Sequence, residues 1–253
     1  MAIDYWKQAE LKTRQRLLNH SIKDLDKIVA ESYIKTSQKL QKQLLNTYYK
    51  ILASKQPLAS HLYQYNRYYD LINEIQTELT KLGNYQTVAF SQSLTNLYIA
   101  NRAVVASRFG LSTEFDKVNA RRAIEEIWVD DGLRFSDRIW ADKAKLIDKL
   151  QQCLSDALVS GQSSDTLAAE IMKTFNVSYN EAKRLITTEL AHASNLSTIN
   201  TYIEAGVSKY RYVAEPGCCD KCSDLNGKIF PITDTEHLPP LHPFGKCSIL
   251  AVI

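Results

Sequence analysis

The sequence predicts a mainly α protein (α+β class), in which long amphipathic helices precede a small β-rich module at the C-terminus. Apolar residues recur three or four positions apart from about residue 14 to residue 205, as on the buried face of a helix. Eight Gly and six Pro are few for 253 residues, which favours long helices over many short strands. After Gly206 the pattern changes to a period of two, which is typical of strands.

Composition and charge exclude several classes of protein. The formal net charge is +3, and the chain has no Lys/Arg block of the kind found in nucleic-acid-binding arms. The N-terminus lacks the pattern of a signal peptide, and no run of about 18 apolar residues indicates a membrane span. We therefore expect a protein that acts in a cytosol or inside a particle assembled there. Disulfides are rare in that compartment, so clustered cysteines favour metal binding or catalysis.

The first predicted helix is long and amphipathic, and it runs through residues 20–52 with or without an interruption. Pro57 ends it, because proline lacks an amide donor and its ring clashes with the preceding turn. Its apolar residues recur at helical spacing: Ile22, Leu25, Ile28, Val29, Leu40, Leu44, Leu45, Tyr48 and Leu52.

Glycines set the predicted ends of the next helices. A second helix is predicted to stop at Gly83 and a third, covering much of 86–109, at Gly110. A fourth begins near Arg134 and stops at Gly161. Glycine suits these positions because a helix C-cap commonly adopts a left-handed conformation that costs other residues more.

The last long helical stretch is predicted to contain two helices. The serines in "SSDTLAAEIMKTFN" suit the N-cap of the first, because their hydroxyl oxygens accept hydrogen bonds from unpaired backbone amides. Ser178 and Glu181 have the spacing of a capping box, which predicts a separate helix over residues 178–205. Gly206 closes that helix.

The C-terminal segment predicts a small β module. Period-two aromatics in "VSKYRYVAE" indicate a strand, and "GKIFPI" and "SILAVI" indicate further strands after a cysteine-containing turn. The chain is therefore expected to divide into an N-terminal helical region (1–125), a helical core (126–206) and a Cys/His β module (207–253).

Four of the five cysteines lie in that module. Cys219 and Cys222 form a C-x-x-C turn, nineteen residues separate it from His242, and Cys247 follows shortly after. Two thiolates from such a turn can face one centre, and a His/Cys pair on a returning loop can complete a tetrahedron. This mixture of sulfur and imidazole suits zinc. Four protein ligands leave no open position, which favours a structural role over hydrolysis.

Other interpretations of the same residues stay open at this level. Cys218 is an alternative first ligand because C-x-x-x-C spacing is also usable, and His237 competes with His242. Ordinary reduced cysteines held by packing, or a redox or catalytic pair, are the alternatives to a metal. Cys153 lies on the apolar face of its helix and is interpreted as a core residue.

The C-terminal half also carries an ordered set of family motifs. In sequence these are "RFSDRIW", "VSGQSSDTLAAEIMKTF", "ITTELAHASN", "CDKCSDLNGKIF" and "PPLHPFGKC". Together they resemble the Mu F-like minor head proteins of tailed bacteriophages, also called phage head morphogenesis proteins. The resemblance covers about residues 125–250, and the opening "DYWKQ" is a weaker match to the start of the family.

This chain departs from the family pattern at two places. Where the family commonly has Arg before Thr-Glu, this chain has Thr187, so a charged partner is missing. Where the family ends in C-R-C, this chain reads G-K-C, and His237 becomes the less favoured ligand. The metal ligands consistent with the resemblance are Cys219, Cys222, His242 and Cys247.

The resemblance implies a virion component that resides inside the phage head and passes through the host cytoplasm during assembly. Such a minor head or capsid protein would be structural, bound near the portal vertex, and implicated in packaging or delivering DNA. Its implied partners are the portal protein and capsid or scaffolding proteins, with double-stranded DNA as a further candidate and no membrane.

Two rival functions belong to other classes. The first is a nucleic-acid-binding zinc module, in which Lys221 and Lys246 would contact phosphates. The second is a Mu F-type toxin-associated domain with enzymatic activity. The sequence contains no Walker A, H-E-x-x-H or G-x-S-x-G motif, so no catalytic residue is predicted. Glu189, His192 and Asn195 lie near one helix face and are interpreted as structural.

Overall fold

A computed structural model of the protein describes residues 5–52, 61–129 and 131–253. It confirms a mainly helical chain that ends in a small antiparallel sheet. In chain order the elements are α1 (Tyr5–Leu52), α2 (His61–Arg108), α3 (Lys117–Ile124), α4 (Phe135–Ser160), α5 (Ser164–Glu204), β1 (Lys209–Val213), α6 (Asp220–Leu225), β2 (Ile229–Pro231) and β3 (Ser248–Val252). Within the part of the chain that the structure describes, each helix is too short or too polar to cross a membrane.

The chain forms two compact units, and α1, α2, α4 and α5 contribute residues to both. Unit 1 comprises Met1–Asp26, Ala89–Phe135 and Lys183–Ile253, and unit 2 comprises Lys27–Val88 and Ser136–Ala182. The division at residues 125/126 and 206/207 expected from the sequence stays a prediction.

Unit 2 is a four-helix unit with a polar network among its buried side chains. Ser178 lies in the middle of α5, where its hydroxyl donates to Asp142 Oδ2 at 2.6 Å and lies 2.8 Å from the Tyr33 hydroxyl. Lys143 is buried and donates to the same carboxylate oxygen at 2.7 Å. Burial lowers the pKa of Lys143, and the adjacent Asp142 carboxylate opposes that shift.

This network explains why the predicted capping box is wrong. Helix α5 is continuous through Ser178, and the serine side chain bonds to residues of α1 and α4 instead of capping a new helix. The true N-terminal cap lies upstream, where Ser163 Oγ accepts from the amide of Thr166 at 3.2 Å. The serine cap predicted at the start of this stretch is therefore confirmed.

The predicted helix end at Gly83 is also wrong, because α2 continues from His61 to Arg108. A Cβ atom added at Gly83 would lie 2.8 Å from Cζ3 of Trp140, so this glycine allows the indole ring to approach the helix backbone. Glycine thus serves close packing here rather than helix termination.

Other predicted helix ends are confirmed by left-handed glycines. Gly110, Gly161 and Gly206 have φ values of +67°, +64° and +74° just beyond α2, α4 and α5. At the end of α5 the Val207 amide donates to the Tyr202 carbonyl at 2.9 Å, as in a Schellman motif. Pro57, the predicted end of the first helix, lies outside the described residues.

Two helix features were not anticipated from the sequence. Helix α1 begins at Tyr5, earlier than the periodicity suggested, and α3 occupies a segment to which no element was assigned. Asp116 caps α3, since its carboxylate accepts from the Asn119 amide at 3.2 Å. Eight residues are too few for periodicity to reveal such a helix.

The three predicted strands form one antiparallel sheet in the order β2-β1-β3. Tyr210 pairs with Phe230 and Ala251, and Tyr212 pairs with Ile249. Side chains alternate along β1, so both tyrosines are fully buried. The apolar cluster at the sheet contains Val105 of α2, Ile199 and Tyr202 of α5, Tyr210, Ile249 and Ala251.

The outer edge of β3 is closed by side chains of helices instead of a further strand. Arg14 Nη1 donates to the Ile249 carbonyl at 2.8 Å, and Asn195 Nδ2 donates to the Cys247 carbonyl at 2.9 Å. The buried Arg14 also bonds to Glu10, whose carboxylate accepts from the Tyr202 hydroxyl at 2.7 Å. Backbone groups that would otherwise lose hydrogen bonds on burial are thereby paired.

Because Trp140 lies so close to Gly83, the effect of Gly83→Ala on the free energy of unfolding should have opposite signs with and without Trp140. Gly83→Ala should destabilise the protein by about 1–2 kcal/mol, because overpacking against Trp140 outweighs the gain in helix propensity. In a Trp140→Ala background the same substitution should stabilise the protein by up to about 1 kcal/mol. Urea unfolding followed by circular dichroism measures both values. The same sign in both backgrounds would contradict the proposed packing role.

The closed strand edge predicts a large cost for removing Arg14. Arg14→Met should reduce the free energy of unfolding by about 3–5 kcal/mol, because it leaves the Glu10 carboxylate and the Ile249 carbonyl short of partners. Arg16 lies exposed on the same helix, and Arg16→Met should change stability by no more than about 0.5 kcal/mol. Equal effects of the two substitutions in urea unfolding would contradict this role of Arg14.

Candidate metal centre

Helix α6 positions the C-x-x-C pair. Cys219 is its N-cap residue with an extended backbone, and Cys222 lies three residues later on the same side of the short helix. The Ser223 amide donates to the Cys219 carbonyl at 2.9 Å, which closes this first turn. Cys219 is exposed and Cys222 is buried, so the pair extends from the surface of the module into its interior.

The long loop between β2 and β3 brings His242 to these cysteines. Its Nε2 atom lies 3.2 Å from Cys222 Sγ and 3.4 Å from Cys219 Sγ. Cys219, Cys222 and His242, here called the Cys/His cluster, place their ligand atoms within 4.8 Å of one another. Three of the four ligands predicted from the sequence therefore converge on one point.

The backbone around His242 fixes the orientation of its ring. Its Nδ1 atom lies 2.9 Å from the Pro243 carbonyl, which can only accept, so Nδ1 carries the proton of the neutral ring. Nε2 then directs its lone pair at the two sulfurs, as a metal-binding histidine requires. The Gly245 amide donates to the His242 carbonyl at 3.1 Å, and Phe244 between them adopts a φ of +63°.

The two cysteines of the cluster have opposite pKa shifts. The Cys222 amide donates to the Cys219 sulfur and lowers the pKa of that exposed thiol. Burial raises the pKa of the Cys222 thiol to about 12. Without a nearby cation the buried sulfur is therefore held as a thiol.

Cys247, the fourth predicted ligand, lies beside the Cys/His cluster but is not one of its three residues. It is buried and packs with Cys222 and Tyr212. Its sulfur accepts from the Glu215 amide at 3.5 Å. Cys218, the alternative ligand, is partly buried and packs against the same residues.

His237 is held elsewhere in the module. Its Nδ1 atom lies 3.0 Å from Asp234 Oδ2, and its ring stacks on Phe230 with centroids 4.4 Å apart. This arrangement accounts for its absence from the Cys/His cluster, in agreement with the lower preference given to it from the sequence.

Two residues of α5 that sequence reasoning did not assign to the site hold its last loop. Thr188 Oγ1 accepts from the Phe244 amide at 3.1 Å, and Asn195 binds the Cys247 carbonyl. They lie seven residues apart and so share one face of the helix. That spacing was the available sequence signal, but it does not specify which loop the residues contact.

The polar residues between them have a different contact. Trp128 Nε1 donates to Glu189 Oε2 at 3.1 Å, and the indole ring stacks on His192 with centroids 4.0 Å apart. Glu189 and His192 are both buried. The structural interpretation of these residues stays a prediction.

These features define a mainly helical protein whose C-terminal sheet module holds a candidate Cys/His metal centre. The family described as Phage Mu protein F like protein matches residues 148–250, and over this range the chain is similar to that family. The resemblance found in the motifs is thus confirmed over a range that begins within α4 and includes the whole cluster. Among curated proteins and solved structures, none matches the chain significantly.

Proposed function

We propose that the protein is a structural component of a phage head, bound near the portal vertex during procapsid assembly and DNA packaging or delivery. The observation on which this rests is the family match over residues 148–250, which includes the Cys/His cluster and the sheet. The proposed location is the virion interior, after assembly in the host cytoplasm. The proposed partners are the portal protein and capsid or scaffolding proteins, with double-stranded DNA as a further contact.

The helices suit a protein that bridges partners. Helices α1 and α2 each contain 48 residues, which at about 1.5 Å per residue corresponds to about 70 Å. Exposed apolar side chains such as Ile34, Val88 and Val177 offer candidate surface for contacts within an assembly.

The Cys/His cluster fits a structural zinc ion. With Zn–S bonds of about 2.3 Å and Zn–N bonds of about 2.0–2.1 Å, sulfur and nitrogen ligands of a tetrahedral site lie about 3.5 Å apart. The distances from His242 Nε2 to Cys219 and Cys222 Sγ are 3.4 and 3.2 Å. Cys247 supplies the fourth ligand in this proposal, since it packs directly against Cys222.

Zinc at this position would join segments that are distant in sequence. It would stabilise the thiolate forms of the cysteines and link α6 to the loop that enters β3. A site closed by four protein ligands has no position for a substrate, so the proposed role of the metal is structural.

The zinc proposal predicts one equivalent of zinc in protein purified without chelator, measured by elemental analysis. Cys247→Ser should weaken zinc binding by at least about tenfold, because loss of a ligand should cost no less than loss of an outer partner. Cys218→Ser is the matched control and should leave the affinity unchanged. Less than about a tenth of an equivalent in the wild type would overturn the proposal, and the reverse order of the two variants would make Cys218 the ligand.

The portal proposal predicts that incorporation depends on the portal protein. Procapsids assembled with all head proteins should contain this chain, and procapsids lacking only the portal protein should contain much less of it. Quantitative mass spectrometry, normalised to the major capsid protein, measures the ratio. Equal amounts in both particles would contradict a portal-vertex location while leaving a head component in place.

A further inference from the structure

Tyr212 lies on β1 directly beside the candidate ligands and is fully buried. Its hydroxyl donates to Cys222 Sγ at 3.3 Å. Cys247 packs with Tyr212 and Cys222 in one buried cluster. Tyr212 thus packs against both of the buried cysteines among the proposed ligands, and its hydroxyl bonds to one of them.

We propose that Tyr212 is a positioning residue of the metal site, whose hydroxyl donates to the Cys222 thiolate and orients it together with Cys247. This inference rests on the zinc site proposed above. A thiolate is an acceptor that must find hydrogen-bond donors or a cation when it is buried. Near Cys222 the Tyr212 hydroxyl supplies such a donor from a separate strand.

The position of this hydroxyl is fixed by the sheet and does not depend on the cysteine turn. The Tyr212 amide donates to the Lys228 carbonyl at 2.9 Å, and its carbonyl accepts from the Gly227 amide at 2.9 Å. On its other side Tyr212 pairs with Ile249 of β3. The ring therefore leaves the backbone at a position set by both neighbouring segments, and its hydroxyl is placed before a metal binds.

Tyr210 offers a matched control on the same strand and the same face. It is equally buried, and its hydroxyl donates to the Asp234 carbonyl at 3.1 Å. Tyr210→Phe removes a buried hydroxyl just as Tyr212→Phe does, but no sulfur loses a donor. A difference between the two variants therefore reports the contact with the cysteines and not the general cost of losing a hydroxyl from this core.

The test compares the full-length wild type, Tyr212→Phe and Tyr210→Phe by zinc titration against a chromophoric chelator. We expect Tyr212→Phe to bind zinc about 10–100-fold more weakly, as for other partners that orient ligands, and Tyr210→Phe to match the wild type. Cobalt(II) in place of zinc gives a second readout, because its sulfur charge-transfer band reports thiolate ligation and should change only in Tyr212→Phe.

The outcomes separate this inference from the zinc proposal. A wild type that binds no zinc overturns both. A wild type that binds zinc, with Tyr212→Phe binding it equally well, overturns the role of Tyr212 alone. Equal weakening in both variants also overturns it, since the effect would then be general to buried hydroxyls.

A second measurement keeps the hydroxyl and so avoids a variant that fails to fold. 3-Fluorotyrosine placed at position 212 should shift its ¹⁹F resonance when zinc is added, because the acceptor of its hydroxyl becomes a metal-bound thiolate. The same label at position 210 should not shift. An unchanged resonance at position 212 in protein that has bound zinc would overturn the inference.

Discussion

The hydrogen bond from the buried guanidinium of Arg14 to the Ile249 carbonyl is the contact on which the C-terminal module depends most. The sheet is small, with strands of five, three and five residues, and its buried side chains pack against α2 and α5. Packing against helices is one of the conditions under which so small a sheet is stable. Strand β3 is accordingly buried, and its outer edge must find partners other than water. Arg14 and Asn195 supply them from α1 and α5, so the module folds as part of unit 1.

The same row of contacts extends into the candidate metal centre. Asn195 binds the carbonyl of Cys247, two residues before the carbonyl that Arg14 binds. Seven residues earlier on α5, Thr188 binds the amide of Phe244. The loop from His242 to Cys247 is therefore attached to α5 at two points, Phe244 and Cys247. Helix α5 thus both closes the sheet and sets the place of two proposed ligands.

Local signals in the sequence predicted structure well where the structure is decided locally. Gly110 and Gly161 end helices because the left-handed conformation is a property of the residue itself. Gly83 and Ser178 carry equally good local signals, yet they lie inside helices because Trp140 and Asp142 give them tertiary roles. For the metal centre, spacing identified residues that converge, but Tyr212 and the α5 contacts required the fold, since nothing adjacent in sequence marks them.

The attachment of the loop from His242 to Cys247 to α5 changes what a metal would contribute to the stability of the module. Isolated zinc-finger peptides are unfolded without metal, so binding free energy there is folding free energy. Here the loop from His242 to Cys247 is already bound to α5, and β1 is paired with both other strands without a metal ion. Removing the metal would therefore release mainly α6 and the exposed Cys219, while the sheet stays held through Arg14. A bound ion would then set the local order of the cysteine turn, while the helices set the fold of the module.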